Sequence, residues 1–354
     1  MRAIDAKVRI GVVGLGYWGP NLVRNIVDSP TASLEWLCDA NPQALAAVAR
    51  RHPTARHSTD VAELLADPEL DAVVVATPIT THHAIAAAAL DAGKHVWVEK
   101  PFASSSAEAA DLIERAKSAD LVLLPGHTFL YSPPVVRIKE LMHAGELGEI
   151  YFVSMSRVNL GLHQSDASVL WDLGPHDFSI LRYWLEDVPT EVSAMTRACV
   201  FPDIPDVAFV NMRFASGTIA TLELSWLSPS KLRRTTIIGS SKMVVYDDTS
   251  PEPVRVFDSG ASLRDPESFG EYQLSYRTGD IVSPRIDATE PLSLEVADFC
   301  SAILDGTPLR SSCAIGLDVV RTIEAVEESL SPSGAADSAA SGQLSAVQAA
   351  RLRR

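Results

Sequence analysis

The stretch Val8-Arg9-Ile10-Gly11-Val12-Val13-Gly14-Leu15-Gly16-Tyr17-Trp18-Gly19 decides the fold. Its first half is a short apolar run, the pattern of a strand buried in a parallel sheet. Its second half is a glycine-rich turn. Residues 20–28 then place Leu22 and Ile26, and Val23 and Val27, at helical spacing. A lone GxGxxG is a weak signal, and the strand–turn–helix context is what gives it meaning. In that context Gly14 permits the tight turn, Gly16 lets backbone approach a pyrophosphate, and Gly19 lets helix and strand pack closely. The helix N-terminus then offers free N–H groups and a positive dipole end to phosphate.

The alternation continues outward from this stretch. Strands are predicted over 34–38, 71–76, 95–98 and 121–124, with helices over 42–51, 61–65, 83–92 and 106–119. Gly93 is placed to end the helix before it. Strands alternating with helices mean an α/β domain with a doubly wound parallel sheet, a Rossmann domain over residues 1–127. After that the pattern changes. Helices are predicted over 135–144 and 178–185, with a strand over 150–158 between them. Strands over 191–200, 207–214, 218–226, 234–238 and 243–247 follow in meander order, Ala215-Ser216-Gly217 turning one hairpin. Late helices are predicted over 292–304 and 316–329. The expectation is a second, α+β domain over 128–330 with a mostly antiparallel sheet. It would bind substrate and oligomerise, its late helices able to pack back on the first domain. The Ser/Ala/Gly-rich segment 331–354 reads as a disordered tail.

Composition narrows the function classes. A chain of 354 residues exceeds what one core usually serves. With 47% hydrophobic and 21% charged residues it is an ordinary globular chain. No run approaches the roughly 18 apolar residues of a membrane helix, and the N-terminus lacks an apolar signal core, so a cytoplasmic protein is expected. The formal net charge of −15 argues against a nucleic-acid partner. It leaves room for a locally basic pocket. Cys38, Cys199, Cys300 and Cys313 form no CxxC pair and read as buried packing rather than as disulfides or a metal site.

Asp39 ends the second predicted strand. A carboxylate there accepts hydrogen bonds from the adenosine ribose hydroxyls and repels a 2′-phosphate. No Arg or Lys follows it, so NAD is expected rather than NADP. Capping the next helix is the competing role for Asp39, but Asn41 is better placed for it. Glu99-Lys100-Pro101 follows the fourth predicted strand, at the carboxyl edge of the sheet where open α/β folds bind ligands. A lysine there can reach both cofactor and a substrate oxygen. His82 and His83 point apart on a helix, so no metal site is expected. No GxSxG motif supports a hydrolase.

Together these stretches resemble the Gfo/Idh/MocA oxidoreductases, which include glucose–fructose oxidoreductase and inositol dehydrogenase. The resemblance rests on Gly14 to Gly19, on Ala76-Thr77-Pro78 with His82, and on the run from Ala92 to Pro101 ending in Glu99-Lys100-Pro101. It extends through Gly126-His127-Thr128-Phe129 and Trp171-Asp172-Leu173-Gly174-Pro175-His176-Asp177. It implies that Lys100, Asp172 and His176 form the catalytic set. His176 suits the proton acceptor, Asp172 would orient its imidazole, and Lys100 would stabilise developing alkoxide. It also implies that Gly14, Gly16, Tyr17, Trp18, Gly19, Asp39, Thr77, Pro78, His82, Glu99 and Lys100 line the NAD site. His127, Tyr131, Arg157, Asn159, His163 and Gln164 are candidate sugar contacts.

Two departures stand out. Ala167-Ser168 replaces a Gly-Gly pair common before the Asp, and Ser179 replaces an Asp common after the His. They argue against inositol dehydrogenase proper. The sequence is more similar to the branch acting on amino sugars and nucleotide sugars, which implies oxidation of a ring hydroxyl, at C3. A ketoreductase, an aminoglycoside-type substrate and a non-catalytic NAD-binding regulator are the alternatives. A homodimer or homotetramer is expected from the same resemblance.

Overall fold

A computed structural model describes residues 7–161, 167–264 and 273–330. Strand β1 (Val8–Val13) is the apolar run of the glycine-rich stretch, and it lies inside a sheet because neither of its faces suits water. The chain continues through α1 (Gly19–Asp28), β2 (Ala32–Cys38), α2 (Pro42–Ala49), β3 (Arg56–Ser58), α3 (Val61–Leu65) and β4 (Ala72–Val75). Then come α4 (Ile79–Asp91), β5 (His95–Glu99), α5 (Ser106–Ser118) and β6 (Leu123–Gly126). Among the described residues these strands are all parallel, in the order β3-β2-β1-β4-β5-β6. The order reverses between β1 and β4, which opens the crevice where such sheets bind ligands. Strand β3 went unforeseen because three residues, two of them exposed, show no period.

The second half holds α6 (Pro133–His143), β7 (Ile150–Leu160), α7 (Val169–Leu185), β8 (Pro189–Arg197), β9 (Val207–Phe214) and β10 (Ile219–Ser225). It ends with β11 (Leu227–Gly239), β12 (Met243–Asp247), β13 (Val254–Arg264), β14 (Gln273–Val282), α8 (Pro291–Asp305) and α9 (Cys313–Ser329). Its strands order as β14-β13-β12-β11-β7-β10-β9-β8. The simple meander is therefore interrupted. Strand β7 sits between β10 and β11, parallel to the first and antiparallel to the second. Only Trp226 separates β10 from β11, too little chain for a hairpin, so each pairs with β7 instead. Burial alternates along β9 and β10, which leaves one face to the core and one outward.

Helix α7 corrects a second expectation. It starts nine residues before the expected residue 178 and runs through Pro175. A proline inside a helix removes one backbone bond, here the one to Trp171. The burial of Val169, Leu170, Phe178, Ile180 and Leu181 around it holds the helix together.

The late helices do pack back. Leu292, Val296, Phe299 and Cys300 of α8 join the core of β1 and α1, and Phe299 meets Trp97 edge-on at 5.8 Å. Arg24 and Asn25 of α1 hold Glu290 at the helix start. Burying each large apolar side chain of α8 contributes roughly 1.5–3 kcal/mol. Residues 331–354 lie outside the described residues. Cys199 is exposed, against expectation, while Cys38 and Cys300 are buried and Cys313 is half-buried; all four are free. Among the described residues no helix is long and apolar enough to cross a membrane.

Candidate active site

Two of the loop glycines are required by the protein itself. Gly14 has φ +96°, and a Cβ there would strike the Ala76 carbonyl. A Cβ on Gly19 would strike the Gly14 carbonyl. Gly16 differs: its missing Cβ points into open space, so nothing in the fold demands glycine there, and a bare backbone at that point suits close approach by a ligand. Trp18 caps α1 without a side-chain bond; Pro20 has no N–H and the Asn21 N–H turns back to the Trp18 carbonyl at 2.9 Å, so the Gly19 N–H is the helix-start donor left to face a ligand. Asp39 reaches back to the same loop, accepting from the Leu15 N–H at 2.6 Å and the Asn41 N–H at 2.7 Å. Asn41 caps α2, as its position suggests. A loop with one open glycine, the Gly19 N–H at the helix start and a carboxylate at its side fits a dinucleotide.

Tyr17 is exposed at the lip. Trp18 turns its indole inward and donates to Glu99 Oε1 at 3.0 Å, which ties the glycine loop to the Glu99-Lys100-Pro101 turn. Thr77 is half-buried and Pro78 is exposed. His82 is not open to a ligand. It is buried, with Nδ1 2.8 Å from the Pro101 carbonyl oxygen and Nε2 2.8 Å from that of Thr77. Burial holds its pKa below the usual histidine value, against the pull of the two carbonyls. His83 bonds Asp111 instead, and among the described residues no cluster of three metal-ligating side chains forms.

Lys100 and Asp172 do come together across the two domains. Lys100 Nζ donates to Asp172 Oδ1 at 2.9 Å and to the Asp172 carbonyl at 2.9 Å. Trp226 Nε1 holds the other carboxylate oxygen at 3.0 Å. Asp172 and His176 share a helical face, but Asp172 does not orient the imidazole. Its oxygens face Lys100 and Trp226, and His176 Nδ1 is buried with no hydrogen-bond partner. The ring is set instead by Phe129, edge-on at 4.8 Å between centroids. Burial, with Lys100, Arg157 and Arg233 nearby, holds His176 well below its usual pKa. The imidazole is therefore neutral and able to accept a proton at neutral pH.

His127 is buried beside it, with neither ring nitrogen partnered, and burial pulls its pKa down to about 4. Asn159 is half-exposed at the end of β7. Two candidate sugar contacts are turned elsewhere. Tyr131 is buried, its hydroxyl donating to Asp298 at 2.7 Å and accepting from the Ser311 N–H. Arg157 is buried and grips Asp177 with two bonds, at 3.0 and 2.7 Å. Its guanidinium also stacks on Phe129 at 4.5 Å. Its Nη1 has no partner, but the guanidinium is buried, so it offers no exposed fork to a phosphate. His163 and Gln164 lie outside the described residues.

Trp226, Phe129, Asp177 and Glu295 were not foreseen. Glu295 left a signal. It sits among Leu292, Val296 and Phe299 on the apolar stripe of α8. It is fully buried, accepts from Thr128 at 2.6 Å through Oε2, and its Oε1 has no partner. Burial and the nearby Glu99 raise its pKa well above the usual value, and burial likewise raises that of Glu99. A carboxyl with a raised folded pKa binds its proton more tightly when folded, so stability falls as pH rises from its unfolded value. Glu295→Gln is accordingly expected to raise the melting temperature at pH 8–9 and to change it little near pH 4. Thermal melts across pH check this; an equal shift at all pH values would remove the assigned charge.

Comparison with known proteins places the chain in a family. Residues 8–127 match the model of an oxidoreductase family with an NAD-binding Rossmann fold (GFO/IDH/MocA), and residues 135–245 match the GFO/IDH/MocA C-terminal domain. The UDP-N-acetylglucosamine 3-dehydrogenase of Acidithiobacillus ferrooxidans is 31% identical over 325 residues, 90% of this chain and 98% of that protein. The chain belongs to the GFO/IDH/MocA family. It is an NAD-dependent oxidoreductase, and its glycine loop is that of an NAD-binding Rossmann domain. A crystal structure of the Acidithiobacillus enzyme superposes with a TM-score of 0.75 at 28% identity, covering 90% of this chain and 96% of that one. GenD2 from gentamicin A biosynthesis, solved in complex with NAD, gives 0.77 at 27% identity, covering 92% and 95%. The scyllo-inositol 2-dehydrogenase (NAD(+)) of Bacillus subtilis is 31% identical over 238 residues, 64% of this chain and 69% of that protein.

Proposed function

We propose that the protein oxidises a secondary ring hydroxyl, at C3, of an amino sugar or nucleotide-linked sugar. The observation that carries this is the Lys100–Asp172 pair, fixed by Trp226 and set beside the neutral imidazole of His176 at the carboxyl edge of the NAD-binding sheet. The near full-length likeness to a UDP-N-acetylglucosamine 3-dehydrogenase supports the substrate class. NAD, when bound, supplies the acceptor for the hydride that leaves carbon. Gly16, the Gly19 N–H at the start of α1 and Asp39 would hold it. His176 takes the hydroxyl proton, which a neutral imidazole can do and an imidazolium cannot. Lys100 donates to the reacting oxygen as negative charge develops there. Asp172 and Trp226 keep its ammonium aimed. His127, with two unpartnered nitrogens, and Asn159 are the sugar contacts this arrangement leaves in place.

A second reading, a sugar carried on an aminoglycoside, has the likeness to GenD2 in its favour. One assay separates the two. The protein is incubated with NAD and, in turn, UDP-sugars, free amino sugars and aminoglycosides, and NADH is followed by its near-ultraviolet absorbance. Reduction of a keto-sugar is followed in reverse. Turnover with a UDP-sugar is expected, and no signal with any sugar in either direction overturns the proposal.

Asp39→Ala is expected to weaken NAD binding about tenfold or more, as a lost charged hydrogen bond does, and to narrow the preference for NAD over NADP. Calorimetric titration with both cofactors checks it. The outward face of the large sheet places Met195 beside Phe209 and Ile219 beside Phe152, all exposed, which supports the expected homodimer or homotetramer.

A further inference from the structure

Arg157 has a cross-strand neighbour with a more open position. Arg233 of β11 stands opposite Arg157 of β7 in the antiparallel register, so both side chains leave the same face of the sheet. Both guanidiniums lie on one ring, Phe129, at 5.5 and 4.5 Å from its centre. The same ring meets the His176 imidazole edge-on. Like charges directly opposite one another destabilise a sheet, and each arginine has its own carboxylate to offset this. Their situations differ otherwise. Arg157 is buried and gripped by Asp177, whereas the Arg233 side chain is 34% exposed. Arg233 Nη1 donates to Asp248 Oδ2 at 3.1 Å, and among the described residues its Nη2 and Nε have no hydrogen-bond partner. Oδ1 of Asp248 is buried, so the carboxylate holds the guanidinium from the protein side.

We propose that Arg233 is a specificity-determining residue, whose open N–H groups receive an anionic oxygen group of the substrate, a phosphate or a carboxylate, while Lys100 and His176 act on the hydroxyl. The assignment rests on the sugar-oxidising role proposed above and narrows it. A guanidinium presents parallel N–H donors that match phosphate and carboxylate oxygens. One already held at Nη1 loses less freedom on meeting an anion than a free side chain does. The position suits a nucleotide-linked sugar. In a ring oxidised at C3, a phosphate on C1 is separated from the reacting carbon by C2 and C1 alone, and His176 and Arg233 lie against one phenyl group. Arg233 is also among the cations that keep the imidazole neutral, so the two groups are electrostatic neighbours. A polycationic aminoglycoside would meet like charge at this fork and gain nothing from it.

Arg233→Met combined with Asp248→Asn removes both charges of the pair. It leaves no carboxylate without its counter-charge and no change in net charge, so altered anion binding reports the lost contact. UDP is the probe, titrated calorimetrically with NAD already saturating, which keeps the glycine loop occupied. The Kd for UDP is expected to rise about 10- to 100-fold in the double variant, the scale of one charged hydrogen bond, while NAD alone binds as in the parent protein. In turnover, the advantage of UDP-N-acetylglucosamine over free N-acetylglucosamine shrinks by the same factor, and more in KM than in kcat. Arg233→Lys keeps the ion pair with Asp248 and is expected to recover part of the affinity. Glucuronate set against glucose tests the carboxylate source. A loss confined to UDP compounds assigns the fork to phosphate, and one confined to glucuronate assigns it to carboxylate. Unchanged affinity for both anions overturns the proposal. So does an equal loss for charged and neutral sugars, which a merely structural ion pair under Phe129 would give. Neutral sugars turned over as well as charged ones remove the role of Arg233 and leave the dehydrogenase reading standing. No turnover with any sugar, with the UDP loss still seen, removes that reading and leaves the anion site.

Discussion

Lys100→Ala and His176→Ala are each expected to lower kcat by roughly two to four orders of magnitude while NAD still binds. The cofactor loop is built by Gly14, Gly16, Gly19 and Asp39, and neither substitution touches its turn. Lys100 is half-buried against Asp172, and its removal takes away the cation that we propose meets the reacting oxygen, leaving water a poor substitute. The pH profile carries a further sign. The proposed mechanism needs His176 neutral, and its pKa is held below the ordinary histidine value of about 6.5, so the acid limb of kcat/KM is expected below that range. Lys100 is among the cations that depress His176. Without it the imidazole holds its proton to higher pH, and the acid limb of the residual activity moves upward. Steady-state kinetics across pH check both statements. Near-normal kcat in either variant would take that residue out of the mechanism, and an unmoved acid limb in Lys100→Ala would take His176 out of its neighbourhood.

The second large effect is on stability. Arg157 and Asp177 are 6% and 4% exposed at the side chain and bonded bidentately. Asp177→Ala leaves a guanidinium buried without its counter-charge, which costs about 3–5 kcal/mol. That is a large share of the 5–15 kcal/mol by which folded domains are usually stable. Replacing both partners with apolar residues of similar volume removes the uncompensated charge, so Arg157→Met with Asp177→Leu is expected to recover most of the loss. Urea unfolding of the three proteins checks it. The double variant should nevertheless turn over slowly, because Arg157 stacks on Phe129, the ring that sets His176. A double variant as unstable as Asp177→Ala would show that the pair is not the cause.

The Rossmann half was legible because each of its strands is a local apolar run bounded by turns, and only β3 is too short to show a period. The second half was legible in its strands but not in their order. Nothing near β7 says that its partners lie some seventy to ninety residues on, since parallel pairing with β10 is a long-range choice. Strand β13 did carry a short signal, Val254-Arg255-Val256 with both valines buried, but the polar Asp258-Ser259-Gly260 that follows breaks the run. Gly174-Pro175 hid the first half of α7, since proline is an ordinary reason to end a helix. The site divided in the same way. Lys100, Asp172 and His176 were readable as motifs. Their mutual orientation was not, because Asp172 is claimed by Trp226 and His176 by Phe129, residues from distant segments. Arg157 misled for the opposite reason. Its partner Asp177 belongs to the very motif that pointed to catalysis.

The packing of α8 on the Rossmann sheet has a consequence for how the chain is made. The ribosome delivers the nucleotide-binding half first, yet Phe299, Val296 and Leu292 cover part of the face formed by β1, β4 and β5. Until α8 has emerged, that apolar surface has no cover of its own, in the manner of a partly folded nascent chain. The half synthesised first is therefore completed only after the second half has been made, and a chain cut near residue 127 is expected to leave a sheet face open to aggregation.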